Sequence, residues 1–170
     1  MARVNVITRI TKEKSPAKMQ RVGMWLVEVI KDTYPETIQG FLQRESITGQ
    51  ELTLQLLCNA VSVVKKLNID FESIAIYSDC EPVSRAFLNK WLEKWAVEDW
   101  KTSKGKEIAD DTTWMLLWKL LNESGKRYIL CDTKSSYHNW MATQIEKEME
   151  KIKDIEAADA AVKKLEEILA

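Results

Sequence analysis

The period of the apolar positions changes several times along the chain, and each change marks an element. Val4 to Ile7, with Ile10, forms a short β-prone run. After a basic, poorly patterned stretch from Lys12 to Arg21, the segment Val22-Gly23-Met24-Trp25-Leu26-Val27-Glu28-Val29-Ile30 is rich in β-branched and aromatic residues and predicts a strand. Asp32 to Pro35 reads as a turn, and Thr37 to Gln43, with Ile38 and Phe41, as its hairpin partner. Three antiparallel strands therefore open the chain.

The period then switches. Thr48 is placed to cap a helix, with Glu51 at the spacing of a capping box. Leu52, Leu56, Ala60, Val63, Val64 and Leu67 recur at three and four, the stripe of a helix lying on a sheet. Ile74 to Tyr77 predicts a strand ending at Ser78-Asp79, and a second helix is expected from about Glu81 to Trp95. Lys101 to Lys106 is a polar loop. Asp110 or Asp111 is the expected cap of a third helix through about Asn122, Tyr128 to Cys131 is a last strand, and helical sequence follows from Tyr137. Crossovers after a front meander indicate an α/β fold: a mixed sheet with helices on its faces. Residues 1–153 form one expected domain, and 154–170, rich in Ala, Lys, Glu and Leu, a C-terminal helical extension.

Composition narrows the class. A chain of 170 residues, 45% hydrophobic and 30% charged, has room for one substantial core and reads as globular rather than disordered. No apolar stretch nears the roughly 20 residues of a membrane span, and the start carries no secretory h-region, so a membrane partner is not expected. Cys58, Cys80 and Cys131 are odd in number and widely spaced, which fits reduced thiols and a cytoplasmic setting. A net charge of −1 offers no global attraction to nucleic acid, so any such binding must use local patches.

One segment is specific enough to suggest a family. Ile76-Tyr77-Ser78-Asp79-Cys80-Glu81-Pro82-Val83 resembles the Tyr-Thr-Asp-Ser strand end of type I ribonuclease H. Trp91-Leu92-Glu93-Lys94-Trp95 and Asp99-Trp100-Lys101-Thr102 resemble that family's tryptophan-rich handle and Gly-Trp-Lys-Thr loop, with Trp114 following. Thr48-Gly49-Gln50-Glu51-Leu52 is similar to its Asn-Arg-Met-Glu-Leu helix start. The resemblance covers roughly residues 3–150. It implies a five-stranded mixed sheet with helices on both faces, and cleavage of the RNA strand of RNA–DNA hybrids by two Mg²⁺ or Mn²⁺ ions held by carboxylates.

Carried over residue by residue, Glu51 matches the first-helix glutamate and Asp79 the central-strand aspartate. The rest depart. Val4-Asn5-Val6-Ile7-Thr8-Arg9 puts Arg9 where the bridging aspartate belongs, Ala142-Thr143 puts Thr143 in place of the last acid, and the histidine position falls near Lys134 or Ser135. His138, the sole histidine, reads as a structural or surface residue. Arg9 matters most, because a guanidinium stays charged at any physiological pH. At about 4 Å and an effective dielectric near 20, one like-charge unit costs on the order of 4 kcal/mol, and a divalent ion feels about twice that. The expectation is that Arg9 replaces the ion, pairs with Asp79 and leaves a relic site without metal.

Nucleic-acid contacts are expected from Lys12, Lys14, Lys18 and Arg21, and from Trp91, Trp95, Trp100 and Lys101 of the handle, although handle tryptophans also pack its small core. From Arg85 to Asp111 six basic residues face six acidic ones, which weakens the phosphate grip a cationic handle would have. Three functions stay open. One is a catalytically impaired binder of RNA–DNA hybrid or structured RNA. Another is a Mg²⁺- or Mn²⁺-dependent nuclease with a reduced site of Glu51, Asp79 and Asp132. The third is a fold reused for protein binding or inhibition in a mobile genetic element, whose divergent members the ending Ser136-Tyr137-His138-Asn139-Trp140 resembles.

Overall fold

The computed structural model describes residues 1–11 and 20–170. Lys12, Lys14 and Lys18, expected to touch nucleic acid, lie outside the described residues. Strands β1 (Ala2–Ile10), β2 (Gln20–Lys31) and β3 (Tyr34–Glu45) form the opening meander, followed by α1 (Gly49–Lys66) and β4 (Phe71–Ser78). Next come α2 (Glu81–Leu88), α3 (Trp91–Val97), α4 (Asp111–Glu123), β5 (Arg127–Leu130) and α5 (His138–Leu169).

The five strands lie in the order β3-β2-β1-β4-β5. β1 pairs antiparallel with β2 and parallel with β4, and β5 continues the parallel half. Alternation along β1 sends Val4 and Val6 to one face and Ile7 to the other. The first face packs on α1, α2 and α4 through Leu54, Leu57, Val83, Phe87 and Leu117. The second meets α5 through Met141 and Ile145, against Met24 and Leu26 of β2. The expected mixed sheet with helices on both faces is present.

Four local expectations change. Tyr34 and Pro35 already belong to β3, because Lys31 pairs with Tyr34 and the turn is only Asp32-Thr33, both at positive φ. Proline is tolerated there since β3 is an edge strand. The capping box is half formed: Thr48 Oγ1 accepts from Glu51 N at 3.1 Å, while the Glu51 carboxylate turns to Thr113 and Gln55. The helix expected over Glu81–Trp95 is two helices, broken where Asn89 caps α2 and Lys90 turns left-handed at φ 55°. Asp110 precedes α4 at φ 61° without capping it through its side chain, which instead accepts from Gln50 Nε2 at 2.9 Å.

Two aromatic features fix the frame. Trp95 stacks its edge against Trp114 at 5.3 Å between centroids, and Trp91 and Trp100 lie 5.8 and 6.3 Å from Trp95. On the outer strand, the indole of Trp25 lies over its cross-strand partner Gly40; a Cβ there would sit 2.8 Å from the ring. α5 runs unbroken through residue 153; what changes there is its packing, since the residues beyond are exposed except half-buried Glu156.

Candidate functional site

Parallel pairing of β1 with β4, with Thr8 opposite Ser78, brings Arg9, near the end of β1, and Asp79, just past β4, to the carboxyl edge of the sheet. Open α/β sheets place ligand crevices at such ends, because the chain leaves the sheet there and helix starts converge. A cavity of about 310 Å³ opens at this point. Thr8 and Arg9 line it from β1, Ser78 and Asp79 from the end of β4, and Ser84 from α2. Cys131 to Ser135, after β5, form the next wall, and His138 closes it from α5.

The wall carries two cations, Arg9 and Lys134, two carboxylates, Asp79 and Asp132, and five hydroxyls. Arg9 Nη1 donates to the carbonyl of His138 at 2.8 Å. Arg9 and Asp79 both border the cavity, and this hydrogen bond ties Arg9 to the start of α5. Asp79 Oδ2 accepts a long hydrogen bond from the backbone N–H of Ile10 at 3.4 Å, at the end of β1. Thr8 Oγ1 is buried and has no partner among the described residues. Arg9 also borders a second, open hollow of about 300 Å³, shared with Ala142, Ile145 and Glu146 of α5.

The other expected members are dispersed. Glu51 does not line the cavity; it accepts from Thr113 and from Gln55 Nε2 at 3.1 Å. Burial and this neighbouring carboxylate push Asp110 above the usual carboxylate range. Thr143 is exposed, and its Oγ1 donates back to the carbonyl of Asn139 at 3.3 Å. Lys134 lies in the cavity wall, near where the histidine was expected, and so does His138 itself, which the sequence had suggested was structural. Asp132, of doubtful reach on sequence, is also there.

Arg21 approaches the N-terminus of α1, where a Cβ on Gly49 would lie 3.0 Å from its Nη1, a tight but adjustable contact. It is close enough to Cys80 to oppose the rise that burial imposes on that thiol. Trp100 is only 8% exposed, with Trp95 and Trp118 beside it, and Trp91 and Trp95 contribute to the same core. These rings pack the handle, and Trp100 offers no open stacking face. Lys101 is exposed and bridges to Glu107 through the backbone.

Sequence reasoning missed Glu146 and Ser84. Glu146 was findable: it lies one turn beyond Ala142 on the same face of α5. Ser84, the residue after the strand-end motif, donates its hydroxyl to the carbonyl of Ser78 at 3.2 Å, a contact that spacing alone does not reveal.

A two-ion centre requires several converging carboxylates. Among the described residues no group of three His, Cys, Asp or Glu side chains is arranged to hold a metal. The donors present, Asp79 and Asp132 beside two cations, do not fit a pair of divalent ions.

A polar contact also joins the start of α5 to the sheet. Glu28, 8% exposed, accepts from Asn5 Nδ2 at 2.8 Å and from the hydroxyl of Tyr137, the residue before α5. That bond pushes the Tyr137 hydroxyl up to about 12.

No family model matches the chain. Its sequence is 29% identical to the ribonuclease H of Acetivibrio thermocellus over 108 residues, 63% of this chain and 69% of that protein. It is 27% identical to the ribonuclease H of Wolbachia pipientis over 107 residues, 62% and 66% of the two chains. Against ribonuclease HI of Haemophilus ducreyi the match is 28% over 79 residues, 46% of each. Among solved structures, the foamy-virus (PFV) RNase H domain superposes with a TM-score of 0.61 at 15% identity, over 86% of this chain and 91% of that one. LC11-RNase H1, solved with an RNA/DNA hybrid, gives 0.54 at 11% identity, over 86% and 99%. Strand order, helices on both faces and the superposed structures give the chain a ribonuclease H-like fold, and its sequence is similar to that of ribonucleases H.

Proposed function

We propose that this protein binds RNA–DNA hybrid or structured RNA without cleaving it efficiently, holding a backbone phosphate in the strand-end cavity with side-chain cations instead of metal ions. The observation that carries this reading is Arg9 at the cavity wall beside Asp79, where a two-ion enzyme would need an acid. Arg9 from β1 and Lys134 from the segment after β5 supply positive charge, and phosphate contacts of this kind position a nucleic acid without reading its sequence. Thr8 Oγ1, buried without a partner, carries a desolvation cost of about 1–3 kcal/mol that a phosphate oxygen would relieve. The complexes that related folds form with RNA/DNA hybrids supply the ligand class. Three free cysteines agree with a cytoplasmic setting, and no helix among the described residues is long and apolar enough to cross a membrane.

A second reading is a slow nuclease, favoured by Asp132 and His138 lining the same cavity as Asp79. One experiment separates the two. A labelled hybrid is titrated with the protein over a range of KCl, then incubated with Mg²⁺ or Mn²⁺ and resolved on a denaturing gel. Salt-sensitive binding with intact RNA is the expected result. RNA-strand scission lost in Asp79→Asn would establish the second reading, and no binding to hybrid or RNA would overturn the first.

A further inference from the structure

The last helix carries two apolar stripes, and only one of them is covered. Met141, Ile145, Met149 and Ile152 seat α5 on β1 and β2. Beyond them Ile155, Ala158, Val162, Leu165 and Leu169 follow at intervals of three, four, three and four. This is the a/d seam of a coiled coil, and its large members are 55–76% exposed. Among the described residues no element packs on it.

The charges flanking the seam choose the occupant. From Asp154 onward the charged residues next to the apolar stripe are Asp154, Asp159 and Glu166, all acidic, while Lys163 and Lys164 fall at outer positions. A second copy of this chain in parallel would place Asp154 opposite Asp159, and an antiparallel pair would again set acids against acids. Like charges across e and g positions disfavour a pairing, and opposite charges select it. We propose that residues 154–169 are the docking face for an amphipathic helix of a partner protein, with Leu, Ile or Val on its seam and Lys or Arg at its flanks. The seam lies outside the strand-end cavity, and this inference does not depend on nucleic-acid binding.

The test uses the full chain and two fluorescent helical peptides of about three heptads. Both carry Leu and Ile at a and d; one has Lys at e and g, the other Glu. Anisotropy should show the basic peptide binding at least about tenfold more tightly, with the preference shrinking as salt rises. Leu165→Asp should abolish binding. Asp154→Lys, Asp159→Lys and Glu166→Lys together should reverse the preference, and all these positions are exposed, so melting temperature checks that the fold is kept. Absence of binding by either peptide, equal binding of both, or insensitivity to Leu165→Asp would overturn the proposal. So would a stable dimer of the chain, seen by sedimentation and dissolved by Leu165→Asp, because a second copy would then own the seam.

Discussion

Arg9 donates through Nη1 to the carbonyl of His138 at 2.8 Å, joining the first strand to the first turn of the last helix across 129 residues of chain. The arginine therefore has a structural partner and a place at the cavity wall. Its replacement should register in both. In Arg9→Ala, hybrid binding is expected to weaken about tenfold, with the slope of log K against log salt falling by about 1. The lost charge-assisted bond should also cost roughly 1–2 kcal/mol of stability, read from urea melts. Arg9→Lys should keep most of the salt slope and lose the fork geometry. An unchanged slope in Arg9→Ala would mean that no phosphate is held there.

Tyr137 and Glu28 give a second measurable contact. Removing the hydroxyl in Tyr137→Phe leaves a buried carboxylate short of a donor, so a loss of about 1–3 kcal/mol is expected. For a chain of this size that lowers the melting temperature by roughly 2–4 °C per kcal/mol. Hybrid binding should weaken too if this bond seats α5 over the cavity.

The same bond sets a pH dependence. Tyr137 is raised from 10.0 to about 12 by its bond to Glu28, burial adding to it, so the folded state holds the phenolic proton more tightly than the unfolded state does. Its contribution is complete below pH 10 and disappears as pH climbs towards 12. The stability difference between wild type and Tyr137→Phe should therefore be constant from pH 7 to about 10 and narrow above it. A difference that widens with pH would contradict the geometry.

The handle tryptophans should behave as core. Trp114→Ala is expected to cost about 3–5 kcal/mol, and Trp100→Phe should melt earlier yet bind hybrid as wild type does. A base-stacking tryptophan would give the opposite pattern, with stability kept and affinity lost.

Thiol chemistry offers an independent check of the core. Burial, with Glu51 nearby, pushes the Cys58 thiol up to about 12, while Cys131 is partly exposed at the cavity. At pH 8 an alkylating reagent should modify Cys131 first and Cys58 only on unfolding, which peptide mass mapping would show.

The sheet was readable from the chain because strands and helices differ in period, and Val4, Val6, Ile74 and Ile76 are buried as their spacing demanded. The resemblance set Arg9 and Asp79 at the ends of neighbouring strands, and both line the cavity. What failed depended on side-chain direction. Glu51 holds the expected place at the start of α1, but Thr113 and Gln55, distant or local in sequence, draw its carboxylate away. The break at Lys90 was hidden because a single left-handed residue interrupts an otherwise helical pattern. Asp132 was undervalued because the loop after β5 has no period to read, and His138 because nothing in the sequence turns the start of α5 towards the cavity.

The ring of Trp25 resting on Gly40 has a consequence for how the outer strand is assembled. Slipping β3 by one place would bring Gln39 or Phe41 beneath the indole, and neither leaves room for it. The contact thus works as an alignment key, admitting one pairing of the hairpin and rejecting its nearest mistakes.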